Sequence, residues 1–274
     1  MKEENSTRST LRVVSVLSCF SPDRPELNAA EISQTTGIPM TTTYRILAGL
    51  TKGRLLDRNK SSGKYEIGAE LYMLGSLYLS TTNITRVVEP AIKTLNDLTN
   101  EAVNVGVLDK GSLVIIMKEE SRSAFRISVH IGSNMPAYSS AMGKALLSEL
   151  SEEEIDKLYP DEKLRPLTSK TLSTKTELKL ELEEIRETGI SFAREESIEK
   201  VIGIASVIRG ADGKAPAAIS ISVPVFRMNQ ETSDRLSTLV KMGASLISYR
   251  LGYQDKNNPI RDIEEIRSWW MTTK

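Results

Sequence analysis

From Ser9 or Thr10 to Phe20, apolar side chains recur at Leu11, Val14 and Leu17, with Val13, Val16 and Phe20 beside them. That period of about 3.6 residues predicts an amphipathic helix, stopped by Ser21-Pro22. After a loop holding Pro25, Asn28-Ala29-Ala30-Glu31 offers an N-cap and a carboxylate placed to reach back to it, so a second helix starts there. Its inward positions, Ala29, Ile32, Ser33 and Thr36, are mostly small and let another helix approach closely. Gly37 is placed to end it and Pro39 to start the next within two residues, a tight helix-turn-helix. In the third helix Thr43, Ile46, Leu47 and Leu50 make the buried stripe. Thr41, Thr42, Tyr44 and Arg45 are left outward near its start. Gly53 is read as the cap, and Leu55-Leu56-Asp57 and Tyr65-Glu66-Ile67 as two short strands around Asn59-Lys60-Ser61-Ser62-Gly63, a β-hairpin.

Further on, Leu71, Leu74 and Tyr78, widened by Tyr72, Leu77 and Leu79, predict a helix from Ala69 to about Thr82, apolar enough to pack on a domain or on a second subunit. Another helix is expected from about Val87 to Leu98, entered through Glu89-Pro90. The pattern then changes. Ala102 to Leu108, Leu113 to Lys118 and Phe125 to Val129 read as strands, the first pair turned by Asp109-Lys110-Gly111. Helices follow at Ala141 to Leu150, Glu152 to Leu158 and Lys175 to Thr188. Strands return at Ile190 to Arg194, Ile202 to Ile208 and Ala217 to Val223, before a long helix from Glu231 to about Arg250. Strands in runs bracketed by helices predict an α+β fold with one antiparallel sheet.

Composition sets the class. The 274 residues suffice for two domains, and 39% hydrophobic with 26% charged content fits a soluble protein without a membrane span, expected in the cytoplasm. The single cysteine, Cys19, has no intrachain partner and is read as core filler. Net charge is zero, yet from Arg45 to Lys64 six bases face one acid, a local patch suited to phosphates. It changes the reading of the helix-turn-helix. Arg45 suits guanine, the threonines suit base edges, and Arg54, Arg58, Lys60 and Lys64 around the hairpin suit the backbone or the minor groove. Three helices and a basic hairpin read as a winged helix-turn-helix, against the plainer alternative of a solvated helix face and a merely solubilising hairpin.

Two places in the second half invite a ligand. In Ala218-Ile219-Ser220-Ile221-Ser222-Val223, alternation sets Ser220 and Ser222 on one face, either as polar ligand contacts or as the wet side of a sheet. The run from Met135 to Lys144 leads into a helix start whose free amides attract carboxylates. Its Gly143-Lys144 pair is not a phosphate loop, because Tyr138 and Ala145 stand where glycine and Ser or Thr are needed. Enzyme chemistry finds little support: no HExxH or GxSxG pattern accompanies His130, no metal-ligand spacing occurs, and Glu195 and Glu196 sit at a strand end where a structural role is the default. No cofactor is expected.

These residues together resemble the IclR family of bacterial transcription regulators, from Ser9 to Tyr249. The resemblance rests on FSPDRPELNAAEISQTTGIPMTTTYRILAGL and GKYEIG in the first half, then GSNMPAYSSAMGKALL, ETGISFAREES and AAISISVPVFR in order. It implies a winged helix-turn-helix over 1–68, a linker helix over 69–84, a GAF/profilin-like effector domain over 85–252 and a tail over 253–274. It also implies homodimers, commonly paired into tetramers, that repress or activate at palindromic double-stranded DNA. Carried across, the effector pocket holds Met135, Ala141, Met142, Ala193, Gly203, Ser220 and Ser222, with a small carboxylate or aromatic acid held by the serines and by amides near Ala141 and Met142. Met40 joins the DNA-contacting set where the family commonly has a basic or polar residue. Tyr138 replaces a frequent histidine, and Ala193 and Gly203 replace polar side chains, which predicts a roomier, less polar pocket. The tail, with Ile263, Ile266, Trp269 and Trp270 at helical spacing, reads as a subunit dock or as local packing. A metabolite-binding enzyme or carrier and a nucleoid-type DNA binder without ligand control are the competing classes.

Overall fold

A computed structural model describes residues 2–21, 24–81, 84–123, 129–254 and 260–273. Two compact units emerge, Met1–Thr82 and Asn83–Lys274.

Unit 1 holds α1 (Lys2–Leu17), β1 (Glu26–Leu27), α2 (Ala29–Thr36), α3 (Met40–Lys52), β2 (Leu56–Arg58), β3 (Tyr65–Ile67) and α4 (Ala69–Thr81). Helix α1 runs seven residues further toward the N-terminus than Ser9, because Lys2–Arg8 contains neither Gly nor Pro to break it. It ends three residues before Phe20, in tightened turns from Cys19 N–H to the Val16 carbonyl and Phe20 N–H to that of Leu17. The cap of α2 is as expected: Asn28 Oδ1 accepts from the amides of Ala30 and Glu31, and Glu31 returns a carboxylate to the Asn28 amide at 2.6 Å. Gly37, left-handed at φ 66°, ends it. At the end of α3 the left-handed residue is Arg54 (φ 58°), not Gly53. Arg54 N–H reaches the Thr51 carbonyl and Leu55 N–H that of Leu50, the two bonds of a Schellman motif whose turning position falls one residue after the glycine. The hairpin gains a third strand, β1, which sequence patterning did not reveal: Glu26 pairs with Glu66 and Leu27 with Tyr65. Val16, Leu27, Ile32, Leu47, Leu50 and Leu56 form the core beneath.

Unit 2 is built on a six-stranded sheet ordered β6-β5-β4-β9-β8-β7, antiparallel throughout. Its elements are α5 (Ile84–Thr99), β4 (Ala102–Asp109), β5 (Ser112–Glu119), β6 (Asn134–Pro136), a 3₁₀ turn (Ala137–Ser139), α6 (Ala141–Leu147), α7 (Glu152–Leu158), α8 (Lys175–Thr188), β7 (Ser191–Arg194), β8 (Val201–Ile208), β9 (Ala217–Pro224), α9 (Gln230–Arg250) and α10 (Ile263–Thr272). Pro90 lies inside α5 instead of opening it. Helix α6 stops three residues short of Leu150, in tightened turns at Glu149 and Leu150. Of the strand expected over Phe125 to Val129, residues 124–128 lie outside the described residues; among those described, the edge of the sheet beside β5 is the short β6, whose Met135 pairs with Leu113.

Helices α5 and α9 cover one face of the sheet and α6 the other. The tail packs on its own chain: α10 lies against α5 and α9, with Ile266 fully buried and the Arg235 guanidinium 4.1 Å from the Trp270 ring centre. Among the described residues no helix is long and apolar enough to cross a membrane.

Candidate functional site

In unit 1, α3 buries Thr43, Leu47 and Leu50. At about 100° per residue this puts Thr41 and Arg45 on the opposite side, with Met40, Thr42 and Tyr44 on the flanks. Met40 and Tyr44 are 38% and 53% exposed, and Thr42 and Arg45 also border a groove toward Ser9 and Arg12 of α1. The start of α3 thus presents hydroxyls, a phenol and a guanidinium on a fixed surface.

The wing is fastened rather than loose. Asn59 Oδ1 accepts from the amides of Ser61 and Ser62, and its Nδ2 donates to Glu26 of β1 at 2.8 Å. Arg58 donates from Nε to the Gly63 carbonyl at 3.2 Å and lies over Tyr65, so one of the four wing cations is held against the hairpin. Arg54 and Lys60 are exposed and Lys64 half-buried.

In unit 2, strand register builds the floor of a cavity. Asn104 of β4 stands opposite Ser220 of β9, and Ser222 opposite both Ala102 and Gly203. Because side chains alternate, Asn104, Ser220, Ser222 and Gly203 share one face, while Val103, Val105, Ile219 and Ile221 share the other. Over this floor lie Ser140, Ala141 and Met142 at the start of α6, with Met135, Leu113 and Ile115 at one side and Ser197, Ile198 and Val201 at the other, around a small cavity of about 50 Å³. All seven residues assigned to the pocket by resemblance, Met135, Ala141, Met142, Ala193, Gly203, Ser220 and Ser222, line this one cavity.

The helix end above it is half capped. Ser140 Oγ accepts from the Gly143 amide at 3.1 Å and the Ser140 carbonyl from that of Lys144 at 2.9 Å. The amides of Ala141 and Met142 keep no acceptor within the helix. Gly143 is there for packing: a Cβ would sit 2.1 Å from the Ala137 carbonyl oxygen. Gly203 likewise lets α6 down onto β8, its added Cβ meeting that of Ala141 at 3.3 Å. The missing side chain therefore brings the helix closer, where the sequence predicted extra room. Tyr138 does not face the cavity; it is buried, donates to the Arg165 carbonyl at 2.8 Å and packs edge-on against Tyr159.

Sequence reasoning missed two features. Asn104 sat in an apolar run. Lys144, fully buried, lies 2.5 Å from both Glu181 of α8 and Glu196. Glu196 also accepts from the Arg194 amide, and the Thr171 hydroxyl donates to its carbonyl, so the turn that carries Ser197 and Ile198 over the cavity is tied to α6. Burial pushes the Glu181 carboxyl above the usual carboxylate range; Lys144 opposes this, and the charge of Glu196 adds to it.

Comparison with known proteins agrees with this architecture. Residues 9–60 match the IclR helix-turn-helix domain and residues 76–249 the C-terminal domain of bacterial transcriptional regulator IclR. The chain is similar to the transcriptional repressor IclR of Escherichia coli, 30% identical over 247 residues that cover 89% of this chain and 90% of that one. It is 31% identical over 241 residues to the transcriptional repressor AllR of Salmonella typhimurium, covering 88% and 89%. Among solved structures, Thermotoga maritima IclR aligns with a TM-score of 0.69 at 24% identity, over 92% of this chain and all of that one. An IclR homologue from Microbacterium hydrocarbonoxydans complexed with 4-hydroxybenzoate aligns with a TM-score of 0.77 at 23% identity, over 89% and 98%. The chain belongs to the IclR family of bacterial transcription regulators, with an N-terminal helix-turn-helix that binds DNA and a C-terminal domain that binds a small molecule.

Proposed function

We propose that this protein is a homodimeric, cytoplasmic regulator of transcription whose DNA binding is controlled by a small organic acid held in the cavity of unit 2. The observation that carries the reading is the cavity itself: among the described residues it is lined by the hydroxyls of Ser220 and Ser222 and by the start of α6, where the amides of Ala141 and Met142 have no acceptor within the helix, a set of donors without a formal cation. Such a set holds a carboxylate while apolar neighbours, Leu113, Ile115, Met135 and Met142, select its body. The 4-hydroxybenzoate bound by the Microbacterium hydrocarbonoxydans homologue belongs to the same ligand class.

On the DNA side, Thr41 and Arg45 read base edges, Met40, Thr42 and Tyr44 flank them, and Arg54, Arg58, Lys60 and Lys64 position the phosphates. A second copy supplies the other half of a palindromic site. Tyr72 and Leu74 of α4 are 77% and 51% exposed, and Leu11 and Val14 of α1 are 60% and 54% exposed, an apolar surface suited to that copy. The test is binding of purified protein to its own upstream intergenic DNA against random DNA at matched salt, with and without a panel of small organic acids. Selective binding modulated by an acid is the expected result; equal binding to both DNAs across salts and acids removes the reading.

A further inference from the structure

Asn104 is the one polar residue in Ala102–Val107, and it is placed where its polarity costs most. The residue is 4% exposed, and it lines the cavity. The amide nitrogen Nδ2 donates to Ser222 Oγ at 3.3 Å, while the carbonyl oxygen Oδ1 is buried without a hydrogen-bond partner among the described residues. A leucine or valine would satisfy the same strand without stranding an acceptor. Something absent from the protein alone is therefore expected to donate to Oδ1.

With the amide turned this way, the bond to Ser222 sets the direction of the set. Having accepted from Asn104, Ser222 keeps its own proton for an acceptor in the cavity. Ser220, directly across from Asn104, has no side-chain partner among the described residues and adds a second hydroxyl. The floor thus presents hydroxyl donors and, within the width of one amide, a pure acceptor.

Resting on the reading of this cavity as the effector site, we infer that Asn104 is a specificity-determining residue and that the effector is a hydroxy acid: its carboxylate accepts from the serines and helix amides, and a hydroxyl close to that carboxylate donates to Asn104 Oδ1. A site built to bond a hydroxyl discriminates against the analogue that lacks it, because the buried acceptor is then left empty.

Calorimetric titration of the full-length protein with matched pairs of acids tests this: glycolate against acetate, lactate against propionate, 3-hydroxybutyrate against butyrate, mandelate against phenylacetate. In at least one pair the hydroxy acid is expected to bind about tenfold tighter or more, and Asn104→Leu is expected to abolish that preference while leaving the acid bound. Equal affinity within every pair that binds overturns the inference alone, and so does a preference that survives in Asn104→Leu. If that variant does not fold, by its circular dichroism, the wild-type ratios decide. Failure of all eight acids to bind wild-type protein sinks the acid-effector reading, and this inference with it.

Discussion

An ammonium group sealed from water is tolerated only where its charge is met, and Lys144 is met twice, by Glu181 and Glu196. Replacing it with methionine leaves two carboxylates facing each other under α6, at a cost of about 3–5 kcal/mol. The sign with pH follows from Glu181. Its folded pKa lies above the ordinary value, so its contribution is complete below the usual carboxylate pKa of about 4.3 and is lost as pH rises through the folded value. Glu181→Gln, which leaves Glu196 on Lys144, is expected to flatten the decline of Tm above that range; an unaltered Tm–pH profile would show that Glu181 does not titrate differently on folding. On the DNA face, charge separates two roles by residue type. Arg45→Ala is expected to cost about 1–3 kcal/mol at the operator and to relax base preference at one position. Lys60→Ala, at the wing, is expected to weaken operator and random DNA alike and to lower the salt slope by about one. Titrations of both variants at several salt concentrations check the split, and an Arg45 variant with the wild-type ratio of operator to random affinity removes Arg45 from base reading.

Short-range signals made the elements readable, and long-range pairing hid the rest. The capping box at Asn28, the exit at Gly37 and the alternation of Ser220 and Ser222 are each complete within a few residues, so the helix-turn-helix and the serine face could be read directly. Strand β1 is two residues long and exists because Leu27 meets Tyr65, a partner no local pattern announces. Asn104 escaped because β4 is buried on both faces, which erases the alternation that marks a lined cavity. Lys144 finds its partners 37 and 52 residues away, on α8 and beyond β7. The seating of α6 was hidden for the same reason: Gly203 reads as extra room in the sequence, yet both it and Gly143 act as contact points in the fold. Gly143→Ala is accordingly expected to push α6 off the Ala137 turn and to destabilise the protein by about 1–3 kcal/mol. Denaturant unfolding reads the loss, and weaker acid binding accompanies it because the Ala141 and Met142 amides move with the helix. A Gly143→Ala protein of wild-type stability would mean that the helix yields at no cost.

For the molecule as a whole, a ligand in unit 2 affects DNA held by unit 1 only if it binds one arrangement of the protein more tightly than another. That requirement has a quantitative consequence that needs no knowledge of the moving parts. If an acid changes operator affinity by some factor, saturating operator DNA must change the affinity for that acid by the same factor, in the same direction. A tenfold effect corresponds to about 1.4 kcal/mol of coupling, comfortably measurable from either side. The experiment is a pair of titrations: acid into free protein and into protein already saturated with operator duplex, set beside operator binding with and without the acid. The expected result is one number obtained twice, and random duplex at the same salt should leave acid affinity unchanged, because the phosphates alone do not choose between arrangements. An acid that binds equally well with and without operator, although it alters operator binding when added, would mean that its action on DNA runs through something other than this cavity.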